Sequence, residues 1–188
     1  MRKFPFVTVD VFSSRALAGN PVAVFTDARG LADAEMQAIA AETRLSETTF
    51  IIPRAEATER SEGIKVRIFT VAEELPFAGH PTLGTASVIA NARNVDEVAL
   101  DLKVGKIPVS FKATPDGRFG EMTQRNPEFG KLHDANEVAK ATDVPLADID
   151  TSVPLQTVST GFAFAIVPLR SLTTLERLQL DLPKAYAR

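Results

Sequence analysis

The sequence predicts an α+β protein in which a curved sheet encloses one apolar helix. Three observations carry that prediction. Several short stretches alternate apolar and polar residues at the period of a strand. The run from Leu75 to Ala92 contains no Lys, Arg, Asp or Glu. The helix this run opens is small or apolar around most of its circumference, so other structure must surround it.

Phe4 to Phe12 reads as a strand, with Phe4 and Phe6 at one parity and Val7, Val9 and Val11 at the other, one face better buried. Gly19-Asn20-Pro21 turns the chain into a second strand, Val22 to Phe25. Leu31, Ala34, Ala38, Ile39 and Ala41 fall at helical spacing within Ala32 to Thr43, with Asp33 as the expected cap. Thr48 to Ile52 is a strand stopped by Pro53, and Glu47 stands at the junction of helix and strand. Arg54 to Gly63 reads as a charged loop, after which Ile64, Val66 and Ile68 alternate with Lys65 and Arg67. The enclosed helix follows, with Pro81 in the first turn, where proline is tolerated. Val98 to Val104 and Ile107 to Ala113 form a hairpin about Gly105-Lys106, and Phe119 to Gln124 adds a strand.

Turn formers and charges from Asn126 to Asp134 place a domain boundary near Pro127, giving domains 1–126 and 127–188. Beyond it come a helix from Ala135 to Ala141, strands near Leu155 to Ser159 and Phe162 to Val167, and a helix from Leu172 to Leu178 capped by Ser171. Gly19, a strand and a helix in the first part echo Gly161, a strand and a helix in the second. A second copy as long as the first would run past Arg188, so a truncated second domain is expected, with apolar surface exposed on Phe162 to Val167.

Composition narrows the function. With no Cys and two His there is neither a thiolate nucleophile nor a Cys-ligated zinc, and cofactor-free chemistry is favoured. A net charge of −3, one Tyr and no Trp argue against nucleic acid as a partner. No apolar run reaches membrane-spanning length and the N-terminus lacks a signal-like run, so no membrane partner and a cytoplasmic location are expected. Neither GxGxxG nor GxxxxGK occurs, which disfavours nucleotides.

Two places could carry chemistry. Gly79-His80-Pro81-Thr82 sets backbone N–H groups at the start of the enclosed helix, a seat for a carboxylate; equally, Gly79 makes a turn, Thr82 caps the helix and His80 bonds a carbonyl. Glu47, beside Leu45, Phe50, Ile51 and Ile52, suits acid–base work if desolvated; equally, it caps a helix end or faces water. Thr48-Thr49 reads as strand surface rather than a nucleophile, since no Ser/His/Asp constellation accompanies it. Glu73 and Glu74 near His80 lack metal-ligand spacing, and no metal site is expected.

Four stretches in this order resemble the PhzF family of phenazine biosynthesis-like proteins: DVFSSRALAGNPVAVF (10–25), LSETTFI (45–51), RIFTVAEELPFAGHPTLGTA (67–86) and VSTGFAFAIVPLRSL (158–172). The resemblance implies the diaminopimelate epimerase-like fold, two similar domains, each a barrel-like sheet around a central helix with the active site between them. It implies that Glu47 is the catalytic acid–base and that Gly79 and His80 hold the substrate, Thr82 completing that motif. The implied reaction is a cofactor-independent isomerisation of a small carboxylic acid of the dihydro-hydroxyanthranilate type. Two departures stand out: Val71 replaces a common proline, and the family's DPxTGS-like motif in the second domain is absent from these residues. The expectations are therefore an isomerase completed by a homodimer partner or a complementing chain or, alternatively, a catalytically silent homologue acting as a binding or dimerisation module.

Overall fold

The computed structural model describes residues 2–180, which divide into two compact units, the first ending at Gln124 and the second starting at Arg125. In the first unit, β1 (Phe6–Val11) runs antiparallel to β2 (Asn20–Phe25). The helix α1 (Asp33–Thr43) leads into β3 (Glu47–Ile52), which lies parallel to β2 with Glu47 opposite Val22. A short helix, α2 (Glu56–Glu62), precedes β4 (Ile64–Phe69), antiparallel to β3, and β5 (Glu74–Leu75) pairs with β4. After α3 (Gly79–Arg93) come β6 (Glu97–Leu102), β7 (Gly105–Thr114) and β8 (Gly117–Met122). The sheet order is β1-β2-β3-β4-β6-β7-β8, with β5 off β4.

This sheet curls into a half-barrel around α3, which touches β1, β2, β3, β6, β7 and β8. Both faces of its central strands are covered, and this explains why β3 reads as an uninterrupted run rather than an alternation. On the inner face Ile51 joins Val22, Val24, Ile68, Leu100 and Val109 around Ala86, Ile89 and Ala90 of α3. On the outer face Phe50 joins Phe25 and Phe69 under Met36 and Ala40 of α1. Helix and sheet approach closely at Gly84, where a Cβ would lie 2.7 Å from Val22 Cγ1 and 2.9 Å from Val11 Cγ2. The enclosure expected for α3 is thus present from His80 to Ala90, while Asn91, Ala92 and Arg93 are exposed.

The structure corrects several details. β1 is an edge strand whose Phe6 and Val7 are exposed at its start; the better-buried parity is that of Val9 and Val11, Val9 packing against the inner core and Val11 buried in it. The stretch read as a charged loop contains α2, which buries none of its residues. It is held by polar ties: Arg54 bonds the Gly63 carbonyl and Glu62, while Glu59 accepts the Arg54 N–H and pairs with Arg93. Ala32, not Asp33, occupies the cap position of α1; Asp33 is the first helical residue and pairs with Arg67, and Glu35 accepts the Ala32 N–H.

The second unit holds a three-stranded antiparallel sheet ordered β11-β10-β9: β9 (Glu128–Leu132), β10 (Gln156–Ser159) and β11 (Ala163–Ile166). The helix α4 (Ala135–Thr142) is capped by Asp134, which accepts the N–H groups of Asn136 and Glu137. The helix α5 (Leu172–Glu176) is capped by Ser171 as expected. A small core of Val144, Ile149 and Leu155 sits against Val138, Ala139 and Leu169. β9 lies inside the stretch read as a break. Its Phe129 faces Val158, which faces Phe164 in turn, and both phenylalanines are exposed together with Leu132 and Ile166. Among the described residues no helix is long and apolar enough to cross a membrane.

Candidate active site

Glu47 opens β3, and its parity turns the side chain toward α3, as Thr49 and Ile51 turn. The carboxyl is largely enclosed, with 17% of the side chain exposed, and Oε2 lies 3.4 Å from His80 Nε2 in the first turn of α3. Both atoms are buried and neither has a hydrogen-bond partner. His80 is also held from β2, through a hydrogen bond to the backbone of Pro21. Proline has no N–H, so its carbonyl accepts; since Nε2 faces Glu47, the donor is Nδ1–H. Burial holds the His80 pKa below the ordinary histidine value, a shift opposed by the neighbouring Glu47 carboxyl and by the Pro21 hydrogen bond. With Nδ1 committed to Pro21, Nε2 and Oε2 face each other across 3.4 Å as two buried polar atoms without a hydrogen-bond partner.

Around this pair the helix start is bare. Ala78 caps α3 without a side-chain hydrogen bond. The first helical bond runs from the Thr82 N–H to the Ala78 carbonyl, so the N–H groups of Gly79 and His80 have no acceptor within the helix, and Pro81 carries none. Thr82 is fully buried and its hydroxyl donates to the Ala78 carbonyl at 2.7 Å. At Gly79 an added Cβ would meet Met122 Cε at 3.4 Å, ordinary contact with the end of a flexible side chain. The Phe12 ring lies 6.5 Å from the His80 ring, centroid to centroid, on an exposed residue with φ of 66°.

The four candidate residues therefore occupy two adjoining elements. The structure brings the Glu47 carboxyl to the His80 ring, sets the Gly79 and His80 amides at the same helix end, and directs the Thr82 side chain into that helix. A hollow of about 670 Å³ runs along Phe12, Leu83, Gly84, Ser87, Phe111 and Phe119; neither Glu47 nor His80 lines it. Glu74 is taken by Arg67 and Lys103, and among the described residues no group of three His, Asp or Glu could hold a metal ion.

Thr48 and Thr49, read as strand surface, are both fully buried. Thr49 Oγ1 lies 2.8 Å from Thr85 Oγ1 of α3, and Thr48 Oγ1 lies 2.8 Å from Thr43 Oγ1 at the end of α1. Sequence reasoning missed these hydroxyls, and the Pro21 carbonyl with them. A Thr-Thr pair within an apolar strand facing a charge-free helix was the available signal for the first; for the second there was none, because any backbone carbonyl serves.

Comparison with known proteins agrees with this architecture. The chain matches the model of the phenazine biosynthesis-like protein family, PhzC-PhzF, over residues 9–188. It is 33% identical over 177 residues to the trans-2,3-dihydro-3-hydroxyanthranilate isomerase of Pseudomonas aeruginosa, covering 94% of this chain and 61% of that enzyme. A solved structure of a predicted epimerase from the same organism superposes with a TM-score of 0.84 at 34% identity, covering 97% of this chain and 66% of that one. A PhzF-family phenazine biosynthesis protein from Bacillus anthracis superposes with a TM-score of 0.79 at 28% identity, over 96% and 60% respectively. The chain spans about 60% of the length of the curated relatives it matches. Its half-barrel around α3 is that of the diaminopimelate epimerase-like fold. With the family model matched from Val9 to Arg188, the chain belongs to the phenazine biosynthesis-like, or PhzF, family.

Proposed function

We propose that this chain carries the acid–base half of a PhzF-type isomerase acting on a small carboxylic acid. The observation that carries the reading is the enclosed Glu47–His80 pair, 3.4 Å apart, next to two helix-start amides without acceptors within the helix. Glu47 as carboxylate takes a proton from a substrate carbon; the C–H electron pair enters the substrate's conjugated system, and the same proton returns to a different carbon. The carboxylic acid formed between these steps donates to His80 Nε2, whose lone pair faces it because Nδ1–H is fixed on Pro21. Burial favours the neutral imidazole that this role requires.

In this reading His80 meets the substrate through its backbone. The N–H groups of Gly79 and His80, at the positive end of α3, bind the substrate carboxylate, and Gly79 keeps that approach free of a side chain. Thr82 supports the turn from within. Glutamate, histidine and amides suffice for such a reaction, with no cofactor. General acid–base catalysis of this kind contributes about 10²–10⁴-fold in rate.

The substrate class follows from the Pseudomonas isomerase, whose own substrate, trans-2,3-dihydro-3-hydroxyanthranilate, is an acid with a conjugated ring. The test uses that compound with the chain alone and together with a polypeptide supplying the remaining length of the relatives. Turnover that falls at least about 100-fold in Glu47→Gln supports the proposal. Turnover that persists in Glu47→Gln overturns it, and absence of turnover in every combination moves the chain to the binding or dimerisation reading, which the exposed face of Phe129, Leu132, Phe164 and Ile166 favours.

A further inference from the structure

Among the described residues two polar side-chain contacts join β3 to α3, and one of them is the acid–base pair. The other joins Thr49 to Thr85, both fully buried and 2.8 Å apart. Thr49 Oγ1 also lies 3.4 Å from the Ala23 carbonyl, to which it donates; its own acceptor site is then free for the Thr85 hydroxyl. The chain of donors runs from α3 through β3 to β2. The same three elements carry His80, Glu47 and Pro21.

The spacing of the two contacts matches. Glu47 and Thr49 are two residues apart along β3, about 6.6 Å of strand rise, and both turn toward α3. His80 and Thr85 are five residues apart along α3, about 7.5 Å of helix rise and about 140° around the axis. Tethering α3 at Thr85 therefore restrains its sliding along β3 and its rotation, the two motions that would change the Glu47–His80 gap.

We propose that Thr49 and Thr85 are positioning residues whose hydroxyl contact sets the register of α3 on β3 and with it the Glu47–His80 distance. This deepens the proposed function, on which it rests for the role of the pair. Among the described residues the charged side chain acting on His80 is Glu47, and the Pro21 carbonyl and the Phe12 ring also lie against it.

The test reads the coupling directly, without substrate. The chain has two histidines, so the ring resonances of His80 can be followed through a pH titration with His133 as the internal reference. In the wild-type background Glu47→Gln lowers the His80 midpoint, because it removes the carboxyl that favours the charged ring. In the Thr85→Val background the same substitution lowers it by measurably less, because the interaction weakens as 1/r once the 3.4 Å gap widens. Thr85→Ser, which keeps the hydroxyl, retains the full effect, and Thr49→Val behaves as Thr85→Val does.

A folded Thr85→Val chain showing the wild-type coupling overturns the proposal, as does Glu47→Gln with no effect on His80 in the wild type. Should the valine variants not fold, Thr85→Ser decides: lost coupling in that folded chain overturns the proposal, and retained coupling supports it. The outcomes separate from those of the proposed function. Turnover surviving Glu47→Gln defeats the catalytic role while leaving the coupling measurable, whereas unchanged coupling in Thr85→Val defeats the positioning role whatever the turnover.

Discussion

Replacing Gly84 with alanine sets helix propensity against packing in a way the structure can resolve. The exchange raises propensity in a helix interior by about 1 kcal/mol. Against this, the new Cβ falls 2.7 Å from Val22 Cγ1 and 2.9 Å from Val11 Cγ2, about 1 Å inside ordinary carbon–carbon contact. Valine is stiff at χ1, Val22 is fully buried and both valines sit on paired strands, so the side chains cannot swing away. Relief requires α3 to lift from the sheet, and overpacking of this kind costs about 1–3 kcal/mol. The expected net is a loss of up to about 2 kcal/mol, or up to roughly 8 °C in melting temperature for a unit of this size. Gly79→Ala is the control, since its Cβ meets only Met122 Cε at 3.4 Å and stability should stay within about 0.5 kcal/mol of wild type. Urea unfolding followed by circular dichroism compares the two. Gly84→Ala more stable than wild type by about the full propensity gain would refute the close-packing argument.

Three further outcomes follow from the charges and the core. The Glu74 carboxyl is held below its ordinary value of 4.5, chiefly by its hydrogen bond to Arg67. Its contribution is full above that value and is lost as pH falls through the lower folded value, so Glu74→Gln should cost about 1–3 kcal/mol at neutral pH and flatten the acid limb of a stability–pH curve. His80 is shifted below 6.5, mainly by burial, so the unfolded chain binds the extra proton first. Stability is then full above pH 6.5 and declines as pH falls toward the folded value, a decline that His80→Gln should remove in denaturant titrations from pH 8 to 5. Phe50 is fully buried, stacked on Phe25 at 5.0 Å and edge-on to Phe69 at 5.5 Å, so Phe50→Ala should cost about 3–5 kcal/mol by urea unfolding.

What the sequence made legible tracks how strongly each element is buried on one side. The alternation of Ile64, Val66 and Ile68 marks β4 because one parity must meet α3, and the lack of charge from Leu75 to Ala92 marks an enclosed helix because a charge there would be unpaired. Where burial is absent the signal vanishes. No residue of α2 is buried, so its Glu and Arg residues imitate a loop, and the helix is known only through the ties of Arg54 and Glu59 to chain that follows it. All five residues of β9 are exposed, and its strand character comes from pairing with β10, a long-range event that no local window contains. β1 follows the same rule, since Val9 and Val11 of one parity turn to the inner core while Phe6 and Val7 at the start of this edge strand stay exposed.

The candidate site divides along the same line. Glu47 and His80 drew attention one at a time, the first through apolar neighbours and the second through a proline at a helix start. Their meeting depends on β3 lying parallel to β2 and on α3 crossing beneath both, which no spacing between residues 47 and 80 encodes. Thr49 and Thr85 illustrate the cost of judging polar residues singly. A lone threonine in a strand is ordinarily placed at the surface, yet two that share a hydrogen bond can be buried together, because each satisfies the other's hydroxyl. Paired burial is a property of the tertiary contact and appears only once both elements are in place. For that reason the residues proposed to set the Glu47–His80 distance were harder to read than the pair itself.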